Sequence, residues 1–118
     1  MNQSTQRKYR EQVEEFLSRL EHRARILVAL AEELERQASK SDVTGYRPFR
    51  EEVDNFKALS LVISERFAKL EKHPKKEELE EQFHKLQVVM LRIVIKTSLK
   101  FFFVMSAKTV LPLGAREM

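Results

Sequence analysis

Eight apolar residues in the first third of the chain step by four, then three, without a miss: Val13, Leu17, Leu20, Ala24, Leu27, Ala31, Leu34 and Ala38. Alternating steps of three and four bring every residue back to one side of a helix with 3.6 residues per turn. A strand, with its period of two, cannot produce that pattern. The spacing predicts a helix over about 5–39 with a heptad seam. One row of the seam, Leu17, Ala24, Ala31 and Ala38, ends in three alanines that let a neighbouring helix come close. The other row, Val13, Leu20, Leu27 and Leu34, supplies bulk. Phe16, Ile26, Val28 and Leu30 widen the apolar surface enough for two neighbours. That favours a helix inside a bundle over one that only pairs as a coiled-coil dimer.

The same alternation recurs in Phe49, Val53, Phe56, Ser60, Ile63, Phe67 and Leu70. Residues 40–47, reading KSDVTGYR, cluster loop formers ahead of Pro48. Proline suits the first turn of a helix, where its missing N–H has no intrahelical role. The second helix is therefore expected over about 48–72. His73-Pro74 marks a turn, because a residue before proline avoids the helical region. A third helix is expected over about 74–109, antiparallel to the second across that tight connection. The fold class is all-α: three long antiparallel helices, a bundle domain over residues 1–111 and a tail over 112–118. Only 2 Gly and 3 Pro interrupt the chain, which agrees with long helices.

Residues 86–105, LQVVMLRIVIKTSLKFFFVM, hold 14 apolar side chains among 20, interrupted every fourth position by Arg92, Lys96 and Lys100. The run is rich in β-branched and aromatic residues, which strands also favour. The four-residue basic spacing and the absence of turn residues decide for helix. At 100° per residue this helix carries two apolar faces. Leu79, Phe83, Leu86, Met90, Val94, Thr97, Phe101 and Val104 form a face along its whole length, suited to the other two helices. Val88, Leu91, Ile95, Leu99, Phe102 and Met105 form a second face, roughly 120° away and confined to the C-terminal half. Upstream, the same side carries Glu77, Glu80, Glu81 and His84.

A three-helix bundle needs one broad apolar face per helix, so the second face calls for a cover. If fully buried, its six side chains would contribute roughly 9–18 kcal/mol before association costs. The expected cover is a second copy of the chain or a helical protein partner, with a homodimer first. A fold-back near Thr97-Ser98 into a short fourth helix is the intramolecular alternative. A membrane surface is a further candidate, with the cations reaching toward headgroups. A transmembrane span is not expected, since each central Arg or Lys would cost about 2.5–3.5 kcal/mol on insertion.

The formal net charge is +4. Residues 1–81 hold 16 basic and 17 acidic side chains, whereas residues 82–118 hold 6 basic and 1 acidic. Arg92, Lys96, Lys100 and Lys108 could therefore contact an anionic partner. Nucleic acid is the less favoured choice, because aliphatic rather than polar residues flank the stripe and no recognition-helix turn is present.

Chemistry finds little footing. Glu81 and His84 match half of a di-iron helix motif, which requires two such motifs and two more glutamates pointing inward. His22, His73 and His84 are scattered, cysteine is absent, and two glycines cannot build a phosphate loop. No cofactor, metal or catalytic residue is expected. The N-terminal residues lack the apolar run of a signal peptide, so the expected location is the cytoplasm. The expectation is a non-enzymatic helical-bundle interaction protein of the adaptor, chaperone or assembly-factor kind.

Overall fold

In a computed structural model the chain forms α1 (Gln3–Ser39), α2 (Tyr46–Ala68) and α3 (Pro74–Glu117). The structure describes residues 2–40 and 42–117, with side chains through 107. The described architecture is all-α, three helices running up, down and up.

Local chemistry sets the boundaries. Asn2 Oδ1 accepts the Thr5 N–H at 2.8 Å and caps α1, satisfying one of the donors that a helix start leaves open. In the first connection, Asp42 Oδ1 accepts both the Thr44 N–H at 3.0 Å and the Thr44 hydroxyl at 2.8 Å. The second helix starts at Tyr46, two residues before the expected Pro48, and Pro48 sits in the first turn where its missing donor costs nothing. It stops at Ala68 rather than near 72. There the N–H groups of Lys69 and Leu70 turn back to the carbonyls of Arg66 and Phe67, three residues away instead of four, which tightens and ends the helix.

Gln6, almost fully buried, fastens this second turn to α1. Its Nε2 donates to the Lys69 carbonyl at 3.4 Å, and its Oε1 accepts the Glu71 N–H at 2.9 Å. The third helix opens on Pro74 with Glu77 in its first turn, where a negative charge complements the helix dipole. It continues to Glu117 instead of stopping near 109, so the segment expected as a tail is helical to that residue. Pro112 removes only one backbone donor, and a helix can continue past such a position. No break occurs at Thr97-Ser98, so the fold-back into a fourth helix does not form. Thr97 is instead buried against α1 and donates its hydroxyl to Glu35 at 3.2 Å.

Every seam residue predicted for α1, Val13 through Ala38, is buried, as is the whole α2 seam from Phe49 to Leu70. On α3, Leu79, Phe83, Met90, Thr97 and Phe101 are buried, with Leu86 and Val94 packed partly against the core. The central element is α1. It packs along both other helices, whereas α2 and α3 touch at few points despite their short connection. The expected hairpin is thus splayed. The turn fixes the direction of α3 but not its closeness to α2, and the wide apolar face of α1 draws both helices onto itself. The Ala24 and Val28 side of α1 faces Leu86 and Met90 of α3.

Cross-helix contacts fix the register. Glu14 pairs with Lys75 at 3.3 Å and Glu35 with Lys100 at 3.6 Å, so α1 and α3 run alongside each other from their shared base. Tyr46 stacks on Phe101 with ring centroids 4.2 Å apart, and Phe67 meets Phe83 at 5.6 Å. Beyond Phe101, α3 outruns α2 by about 16 residues, or ~24 Å, and it outruns α1, which reaches about the level of residue 104, by about 13 residues. The molecule is a rod of 74 × 18 × 17 Å.

Candidate interaction surface

The second α3 face lies where helical spacing places it. Leu91, Ile95, Leu99 and Phe102 are 49% to 64% exposed. Val88 is half-buried, and Met105 packs partly against the core, so these two form the edges of the strip rather than its middle. The sequence pattern did not assign Phe103, 77% exposed, or Val89, about half exposed, to the surface. Both fall in the narrow sector of the basic stripe, Phe103 between Arg92 and Lys96 in helical angle and Val89 between Lys96 and Lys100, and so belong to neither apolar face.

A larger omission is Leu61 on α2, 66% exposed. Because α2 and α3 are splayed, an open groove of about 400 Å³ lies between them. Val53, Phe56, Ser60 and Leu61 form one wall, and Leu91 and Val94 form the other. Leu61 and Leu91 therefore belong to one surface, which continues along α3 through Ile95 and Leu99 to Phe102. That Leu61 is apolar and adjoins the seam residue Ser60 is legible in the sequence. Its exposure is not, because that depends on how far α3 stands from α2. The Ser60 hydroxyl, buried in the groove wall, has no hydrogen-bond partner among the described residues.

Arg92 and Lys96 are exposed on the flank of α3 turned away from α2, and neither has a counter-ion among the described residues. Lys100 is tied to Glu35, which also receives the Thr97 hydroxyl. The stripe thus holds two unpaired cations and one engaged. The side chain of Lys108 lies outside the described residues. Glu81 pairs with Lys85 at 3.0 Å and His84 is exposed. Among the described residues no three His, Asp or Glu side chains gather as metal ligands, and no helix is long and apolar enough to cross a membrane.

Fold and surface together define a class: a three-helix bundle, splayed on one side, with an apolar groove opening onto a long protruding helix. No protein-family model, curated protein or solved structure matches the chain.

Proposed function

We propose that this protein is a non-enzymatic interaction protein, of the adaptor, chaperone or assembly-factor kind, acting as a homodimer through the outer face of α3. The observation that carries this reading is the exposed apolar strip Leu91, Ile95, Leu99 and Phe102, continuous with Leu61 and the α2–α3 groove. Monomeric soluble proteins rarely expose so extended an apolar surface. Covering the exposed halves of those four side chains is worth about 3–6 kcal/mol per copy. Association costs on the order of 4–15 kcal/mol. Two copies that cover each other's strips and grooves together can offset that cost; one strip against a polar surface cannot.

The test is the mass in solution, by light scattering or sedimentation equilibrium. The wild-type chain is expected at twice its 14.0 kDa. Leu91→Asp combined with Phe102→Asp is expected to give a soluble, fully helical monomer, because both positions lie outside the buried core. A monomeric wild type defeats the homodimer.

A second reading, a basic nucleic-acid-binding bundle, is favoured by the unpaired Arg92 and Lys96. It requires salt-sensitive retention on DNA or RNA that is lost when Lys96 and Lys100 are changed to Glu. The engagement of Lys100 by Glu35 leaves a short electrostatic footprint for such a role.

A further inference from the structure

The two edges of the apolar surface carry opposite charge, and that restricts how a second copy can sit on it. On α2, helical spacing places Glu51, Asp54 and Glu65 on the flank beyond Leu61, away from the groove. All three are exposed. Glu65 has no ion pair among the described residues, Asp54 holds Arg50 loosely at 3.8 Å, and Glu51 pairs with Arg47 at 3.2 Å. Arg50 and Lys57, seven residues apart, lie on the groove side, where Lys57 lines the wall. On α3, the flank away from the groove carries Lys85, Arg92 and Lys96. Arg47 shares the α2 flank as the partner of Glu51, and Lys85 is held by Glu81. The surface therefore has a margin on α2 where three acids outnumber one base, an apolar middle and a margin on α3 led by the unpaired Arg92 and Lys96.

The levels of these charges also correspond. Tyr46 stacks on Phe101 and Phe67 meets Phe83. Counting along α2 from each contact sets Asp54 level with residues 93–96 of α3. The same count sets Glu51 level with 96–99 and Glu65 level with 82–85. Each acid stands at the height of a basic residue on the far margin.

A two-fold axis perpendicular to the helices and lying in the interface would stack α2 on α2 and α3 on α3. It would bring acid to acid and base to base on both edges. An axis parallel to the helices exchanges left and right while preserving height. It brings the acidic margin of each copy to the basic margin of the other at matching levels.

We propose, resting on the homodimer reading above, that a second copy covers this surface about a two-fold axis parallel to α3. Each α3 lies in the partner's groove between its α2 and α3. Asp54 of the partner subunit then stands beside Arg92 and Lys96, and Glu51 of the partner subunit beside Lys96. Each α3 runs antiparallel to the partner's α2, as neighbouring helices do in an up-down bundle. The protruding ends of the two α3 helices emerge at the same end of the dimer, side by side.

The chain contains no cysteine, so single cysteines report cleanly. One chain carrying Asp54→Cys and another carrying Lys96→Cys are mixed, allowed to exchange and treated with a short bis-maleimide. The mixture is expected to give a cross-linked dimer at least about ten-fold faster than either chain alone, matching the separation of opposite margins from like margins. Faster linking of either chain with itself overturns the parallel axis while leaving the homodimer intact. A monomeric wild type overturns both. Circular dichroism of each single variant checks that the fold is retained; both positions are exposed, so loss of cross-linking in a folded mixture counts against the proposal.

Discussion

Two leucines on different helices show how burial separates stability from association. Leu27 is completely buried on α1 and Leu99 is 64% exposed on α3. Leu27→Ala removes packed methyl groups from between three helices and is expected to cost about 2–5 kcal/mol in urea or thermal unfolding. Leu99→Ala leaves no cavity in the bundle and should change the stability of the isolated chain by no more than about 0.5 kcal/mol. It should nevertheless weaken self-association measurably, by sedimentation equilibrium at several concentrations. Because dimerisation itself stabilises the folded state, the unfolding comparison belongs at low chain concentration or in the Leu91→Asp, Phe102→Asp background. Equal losses from both substitutions in that background would mean that Leu99 is part of the core.

At the scale of the helices, the alternation of threes and fours assigned the buried apolar residues of α1 and α2 one by one, leaving out only the buried polar Gln6 and Glu52. It succeeded because burial in a helix follows from angle alone. It assigned the exposed strip on α3 almost as well, missing Val89 and Phe103 there and Leu61 on α2 for different reasons. Val89 and Phe103 share the angular sector of the basic stripe and so fall outside both apolar faces, and a seam names the face that is covered without naming the neighbour that covers it. The splay of α2 from α3, and hence the groove, depends on the second of these and was not legible. Helix ends were least legible: α2 starts two residues ahead of Pro48 and α3 runs on from the expected end near 109 through Pro112, because the backbone accommodates both prolines inside helices. The central position of α1 also makes a prediction. Ala31 is buried in the seam that serves both neighbours. Ala31→Leu should overpack that junction and destabilise by about 1–3 kcal/mol in urea unfolding. A neutral result would show that the seam has room, and that the alanine row does not bring a neighbouring helix close.

For the whole molecule, charge arrangement converts into a sign that salt can read. The chain carries a net charge of +4, so two copies repel as whole bodies, and screening that repulsion would by itself strengthen a dimer. The local margins act in the opposite sense when acid faces base, because screening then removes an attraction at short range. In the parallel two-fold arrangement, Glu51, Asp54 and Glu65 of each copy face the margin of the other that carries Lys85, Arg92 and Lys96, with Glu51, Asp54 and Lys85 shared with partners in their own chain; the arrangement holds when these short-range attractions exceed the diffuse net repulsion. The screening length is about 10 Å at 0.1 M salt and about 3 Å at 1 M. Each exposed pair is worth up to about 1 kcal/mol, and screening removes only part of that. The dimer dissociation constant is therefore expected to rise several-fold between about 0.05 and 0.5 M sodium chloride, measured by sedimentation equilibrium. A perpendicular axis would stack like margins on both edges, adding to the net repulsion, and the constant would fall over the same range. Asp54→Lys reverses one pair on each side of the dimer. It should weaken association at low salt and bring the two salt limits closer together, with the helical content of the chain unchanged.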